Sequence, residues 1–296
     1  MIPTIDAHHH LWDLKANAYP WLSGPPVEAH FGPYETIRKN YLVADYLRDI
    51  RGQHVVKSVH VEAGADPTDP VRETAWLQAQ ADRHGYPHAI VAYANLAAPD
   101  VGAVLEAHCR CPNVRGIRMM ARKPGELRGA GDPGTSLMSD PAWRRGFARL
   151  RPLGLSFDLQ APPPLMAEAA RLAADFPDVP LVLIHAGLPL DRSPAGLAAW
   201  RVGMRRLAER PNVAVKISGL PMTDWRWTVD TLRPIVLETL EIFGVERAMV
   251  GSNFPVDGLY SDYDRLLNAY RTITAGLTPE EQRALFHDNA ARFYRL

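Results

Sequence analysis

Cysteine is almost missing: the 296 residues contain two, Cys109 and Cys111, in the stretch HCRCP. That spacing is poor geometry for a disulfide, and two thiolates are too few for a structural zinc site, so both are expected to be ordinary reduced thiols. An excess of charge of either sign is missing too, with 33 Lys and Arg against 33 Asp and Glu. Such balance lacks the electrostatic footprint that nucleic acid or an anionic membrane surface requires, which leaves a small molecule as the expected partner. No apolar run approaches the about 18 residues needed to cross a bilayer. The chain enters a strand-like segment within a few residues of Met1. This leaves no room for a leader, and the cytoplasm is the expected address. Low-complexity linkers and charge blocks are also absent, so one domain over residues 1–296 is expected, with the 26 prolines read as loop punctuation. Self-association of the chain stays open.

What is present is a regular alternation. Eight apolar, β-branched stretches occupy 3–10, 55–63, 89–96, 114–120, 155–160, 181–187, 213–219 and 248–256. Segments with helical spacing of apolar residues follow them at 41–50, 71–85, 101–110, 140–154, 164–176, 198–210, 229–244 and 279–294. Asp140-Pro141 and Thr278-Pro279 are helix starts; Gly85, Gly154 and Gly244 are stops. Strict strand–helix alternation at this length predicts an α/β fold of the (β/α)8 barrel type, with a doubly wound sheet as the alternative.

Strand side chains two apart share a face. In TIDAHHHL this groups Asp6, His8 and His10 against Ile5, Ala7 and His9. Elsewhere it groups Ser58, His60 and Glu62, then Ser156, Asp158 and Gln160, then Lys216 and Ser218. These polar sets are expected to face the barrel axis, with their last members at the carboxyl-terminal mouth where barrel enzymes react substrates. The strand ends then contribute His8, His10, Glu62, Asn95, Arg118, Asp158, Gln160, His185, Lys216, Ser218 and Asn253. His60, lower in its strand, reads as a core histidine, and Lys216 reads either as one half of an internal ion pair with Asp158 or Glu62 or as a substrate group. His8 and His10 leave one face about 6 to 7 Å apart along the strand. With His185 from LVLIHAG as a third ligand they could share one ion, or the same rings could act as neutral hydrogen-bonding groups.

In this order and spacing, DAHHHLW, VRGIR, HAGLP, GSNFPVD and the closing NAARFYRL resemble the amidohydrolase superfamily, and within it the amidohydrolase-2 branch containing sugar-acid and dicarboxylate lactonases. The resemblance covers essentially the whole chain. It implies a distorted (β/α)8 barrel that hydrolyses a cyclic ester, a carboxylic ester hydrolase, with His8, His10 and His185 holding a metal or orienting the substrate. Where relatives can carry a lysine that bridges two ions, this chain has Arg118, which cannot form that bridge. One divalent cation, zinc being favoured, or a metal-free site follows. The usual strand-eight aspartate is replaced by Asn253, which can orient a water or a carbonyl but cannot take its proton. The base is therefore expected to be Asp257 or Glu62, with Asp158 ranked behind them.

Arg118 is suited to a carboxylate or the lactone carbonyl, with Arg122 and Lys123 as helpers. Gln160, Lys216 and Asn253 would read hydroxyls, and Trp12, Tyr19 and Trp21 would wall a ring. A small carboxylated or sugar-derived lactone is the leading expectation. A metal-dependent non-oxidative decarboxylase of the same superfamily and a catalytically silent binding barrel are the alternatives.

Overall fold

The computed structural model describes residues 2–120 and 136–296. Eight short strands are hydrogen-bonded in sequence order, all parallel: β1 Thr4–His9, β2 Val55–Val61, β3 Ala89–Tyr93, β4 Val114–Arg118, β5 Ser156–Leu159, β6 Leu181–Leu183, β7 Val213–Ile217 and β8 Ala248–Val250. A doubly wound sheet would reverse its strand order at a switch point, and this one does not. The two edges meet just past β8, where the Asn253 amide donates to the His8 carbonyl and the His10 amide to the Phe254 carbonyl, each at 2.7 Å. The result is a nearly closed (β/α)8 barrel.

The helix layer follows the expected order as far as β7. Side-chain caps fix several of its starts, and both of those expected are among them: Asp140 accepts the Ala142 and Trp143 amides, and Thr278 accepts that of Glu281. The helix after β8 is Tyr263–Ile273, a stretch absent from the expected pattern, capped by Asp262 on the Arg265 amide. The C-terminal helix, Asn289–Tyr294, is therefore an addition to the barrel's own helices. Asn289 bonds the carbonyls of Val245 and Ala248 at the start of β8, which places this helix across the amino-terminal end of the barrel.

Two apolar layers result. Leu181, Leu183, Val213, Val215, Ile217, Phe157 and Leu159 pack outward in the large cluster with the helices. Ile5, Ala7, Val59, Val61, Ala89, Val91, Val182, Ala214 and Met249 form a second cluster with Ala290 and Tyr294. Residues from six strands can meet only at the axis, so this second cluster is the barrel's interior. Among the described residues no helix is long and apolar enough to cross a membrane. Cys109 and Cys111 are free thiols.

Candidate active site

The interior cluster corrects the face assigned to the first two strands. Asp6 stands opposite Ser58, yet His9 stands opposite His60. Three steps on β1 thus match two on β2, a bulge that inserts one residue and inverts side-chain parity. Ahead of it Ile5 and Ala7 point inward, and Asp6 points out to the Tyr46 and Tyr263 hydroxyls, each 3.0 Å away on surrounding helices. Beyond it His8 and His10 point inward, while His9 stacks on Tyr46 at 4.1 Å and its Nε2 lies 2.9 Å from Ser58 Oγ. Asp6 is therefore not on the histidine face, and Ser58 and His60 do not line the axis; Val59 and Val61 do. His60 Nε2 sits 3.2 Å from the Leu11 carbonyl.

Asp6 still governs the site from outside. Its carboxylate accepts the amides of His8 (3.2 Å) and Ser252 (2.8 Å) and the Ser252 hydroxyl (2.6 Å), tying the bulge to the residue before Asn253.

Three imidazoles converge in the chamber. Ring centroids of His8 and His185 are 4.6 Å apart, and those of His8 and His10 are 5.1 Å apart. His10 donates through Nδ1 to the Val61 carbonyl at 2.8 Å, and its Nε2 lies 3.3 Å from the Asn253 side-chain oxygen. His185 Nδ1 lies 3.0 Å from Ser218 Oγ. Both ring nitrogens of His8 are buried without a hydrogen-bond partner among the described residues. Burial, reinforced by Lys216 for His8 and by Arg118 for His10 and His185, holds all three well below the ordinary histidine range. They are neutral rings with lone pairs to offer. His185 (φ 57°) and Asn253 (φ 55°) both occupy the left-handed region, so backbone strain is concentrated where β6 and β8 deliver their side chains. Gly219 and Gly251 make room: a Cβ would stand 2.4 Å from His185 Nδ1 at the first and 2.6 Å from His8 Cβ at the second.

The opposite wall is made of paired charges. Arg118 donates through Nε to Glu62 Oε1 at 2.7 Å and through Nη2 to the Glu62 carbonyl at 2.5 Å. Lys216, fully buried, donates to Asp158 Oδ2 at 2.6 Å. The Tyr294 hydroxyl donates to the same carboxylate, and the lysine ammonium lies 5.0 Å from that ring. The C-terminal helix thus completes the chamber floor from below. Gln160 is buried just past the end of β5. Trp12 stacks behind His10 at 6.4 Å and donates to the Lys39 carbonyl. Asp257 is fully buried, accepts the Asn253 amide group at 2.9 Å, and is pushed well above the usual carboxylate range by burial. Asn95 is exposed and turns back to the Ala97 amide, away from the chamber. Arg122 and Lys123 lie outside the described residues.

Among the described residues no group of three His, Cys, Asp or Glu is arranged to hold an ion as placed. The donor chemistry nevertheless fits one: three neutral imidazoles, two of them fixed through an outer nitrogen as metal-binding histidines are, and the third wholly unpartnered. Sequence reasoning misses Asp6 as an outward anchor and misses Ser252; it places Ser218 at a strand end but not its contact with His185. Only the recurrence of SG and GS after β7 and β8 hints at the serines.

Residues 5–296 match the amidohydrolase family. The chain is 49% identical to the Sinorhizobium fredii protein y4mH, over 100% of this chain and 99% of the relative. It is 32% identical to an L-fucono-1,5-lactonase of Burkholderia multivorans, over 99% and 96% of the two chains. A zinc-bound amidohydrolase structure from Burkholderia multivorans superposes with a TM-score of 0.83 at 27% identity, covering 99% of each chain. The resemblance read from the strand-end motifs thus holds over the whole length, and the chain belongs to the amidohydrolase family.

Proposed function

We propose that this protein hydrolyses a small, neutral, polyhydroxylated lactone of the sugar-acid type. The observation that carries the reading is the charge state of the chamber: three neutral imidazoles face two cations, Arg118 and Lys216, each already held by a buried carboxylate. A dicarboxylate ligand would have to break one of those pairs, leaving a carboxylate buried and unpaired at several kcal/mol. A ring of hydroxyls asks for hydrogen-bonding groups instead. The lactonase named among the relatives supports the same class.

Hydrolysis adds water to the ring carbonyl, breaks the carbonyl carbon to ring-oxygen bond, and returns a proton to the released alkoxide. The hydroxy acid formed then ionises. In this reading the Asp257 carboxylate, whose Oδ2 is buried without a partner among the described residues, accepts the attacking water's proton, and Asn253, its amide group fixed by that carboxylate, orients the water. Glu62 holds Arg118 aimed at the developing oxyanion. Gln160 reads a hydroxyl, Trp12 backs His10, and the Asp158–Lys216 pair forms the floor. His8, His10 and His185 would hold a single divalent cation, with zinc suited to an all-imidazole set. Such an ion supplies carbonyl polarisation and a lowered water pKa. The zinc in the related structure supports this.

A pH-indicator screen of aldonolactones beside dicarboxylate lactones tests the reading. Acid release is expected from neutral sugar lactones. No release from any of them, or preference for a dicarboxylate, would refute it.

A further inference from the structure

The backbone that ends β2 is satisfied atom by atom. The Val61 carbonyl accepts from His10, the Glu62 amide donates to the Val91 carbonyl, and the Glu62 carbonyl accepts from Arg118. The Ala63 carbonyl accepts from Trp21 Nε1 at 2.8 Å, and the Gly64 amide donates to Glu62 Oε2 at 2.8 Å. The remaining group, the Ala63 amide, is taken by a side chain from another element: Glu73, on the helix Pro70–His84, whose two oxygens lie 3.1 and 3.4 Å away. Glu73 is 3% exposed, so it acts on the chamber only through the groups it holds.

We propose that Glu73 is a positioning residue, which sets the Glu62–Arg118 pair and the His10 anchor at Val61 through the Ala63 amide. Two carboxylates, Glu62 and Glu73, grip adjacent amides of this turn, and Arg118 pairs with the first of them. The charged and titratable groups acting on Glu73 are Glu62 from the end of β2, Arg118 from β4, and Tyr19 from the loop after β1, with Asp13 acting on Tyr19. Burial, and then the Glu62 charge, push the Glu73 carboxyl up to about 8, against the pull of the Ala63 amide, Tyr19 and Arg118. The neutral acid needs an acceptor. The Tyr19 hydroxyl and the Asn17 amide are buried beside it and supply that polar contact.

Ionising Glu73 brings a second negative charge beside Glu62 and shifts the turn that Trp21 also holds. The catalytic consequence rests on the lactonase reading; the movement of the turn does not. The test therefore has two readouts. In protein labelled with 5-fluorotryptophan, the fluorine resonance of Trp21, identified by its loss in Trp21→Phe, is expected to titrate with a midpoint near 8 and to stop doing so in Glu73→Gln. Absence of titration in the wild type, or the same titration in Glu73→Gln, overturns the proposal. In the acid-release assay, KM is expected to rise severalfold between about pH 7 and 9 in the wild type and to stay level in Glu73→Gln. If fluorine titrates but KM does not respond, the coupling to Glu62 and Arg118 is refuted. If no lactone is turned over, the fluorine result still decides the positioning of the turn.

Discussion

The two walls of the chamber satisfy themselves differently. On the side built by β2, β4, β5 and β7, every charge has its partner: Arg118 with Glu62, Lys216 with Asp158 and Tyr294. On the side built by β1, β6 and the turn after β8, three neutral rings meet, and one of them keeps both nitrogens unbonded among the described residues. An unsatisfied buried polar group costs about 1–3 kcal/mol, and on this wall that cost falls on His8. The paired wall is complete in itself, and the histidine wall is the one with hydrogen-bonding groups left over.

Acid should break the histidine wall first. His8, His9, His10, His60 and His185 are all held below the ordinary value of 6.5, His9 at about 3. A folded state with depressed histidine pKa values is favoured above the unfolded value and loses that advantage as pH falls, at about 1.4 kcal/mol per group per pH unit. Thermal unfolding followed by circular dichroism should show the melting temperature dropping steeply between about pH 6.5 and 4. A level profile over that range would mean the rings are not held neutral.

The paired wall responds to subtraction instead. Lys216→Met leaves Asp158 buried and uncompensated, and denaturant unfolding should show a loss of about 3–5 kcal/mol. Lys216→Met combined with Asp158→Asn should recover most of it. If the single variant costs no more than the double, the pair is not the closed unit described above.

Most of this architecture is legible in the amino-acid sequence, because period-two alternation and helix caps are local signals. VVKSVHV, LSFDLQ and LVLIHAG declare themselves as strands, and the order of elements follows. The inward aim of His8 and His10 is legible too, but for an incomplete reason. Parity counted from Asp6 reaches the correct histidines only because the bulge shifts the register under them. A bulge is decided by pairing with β2, which is distant along the chain, and leaves no mark in TIDAHHHL. The helix Tyr263–Ile273 escapes the pattern although Leu266, Leu267, Tyr270 and Ile273 have helical spacing, because the stronger capping box at Thr278 claims the last helix of the barrel. Glu73 lies in an ordinary amphipathic helix; its value comes from an unpaired amide on a different segment, which no spacing rule reports.

Isothermal titration of zinc into metal-stripped protein, wild type beside His8→Ala, bears most immediately on the three converging imidazoles. About one ion per chain is expected in the wild type and none in the variant, as expected of a site with three protein ligands. Equal binding in the two proteins would contradict the shared chamber of His8, His10 and His185.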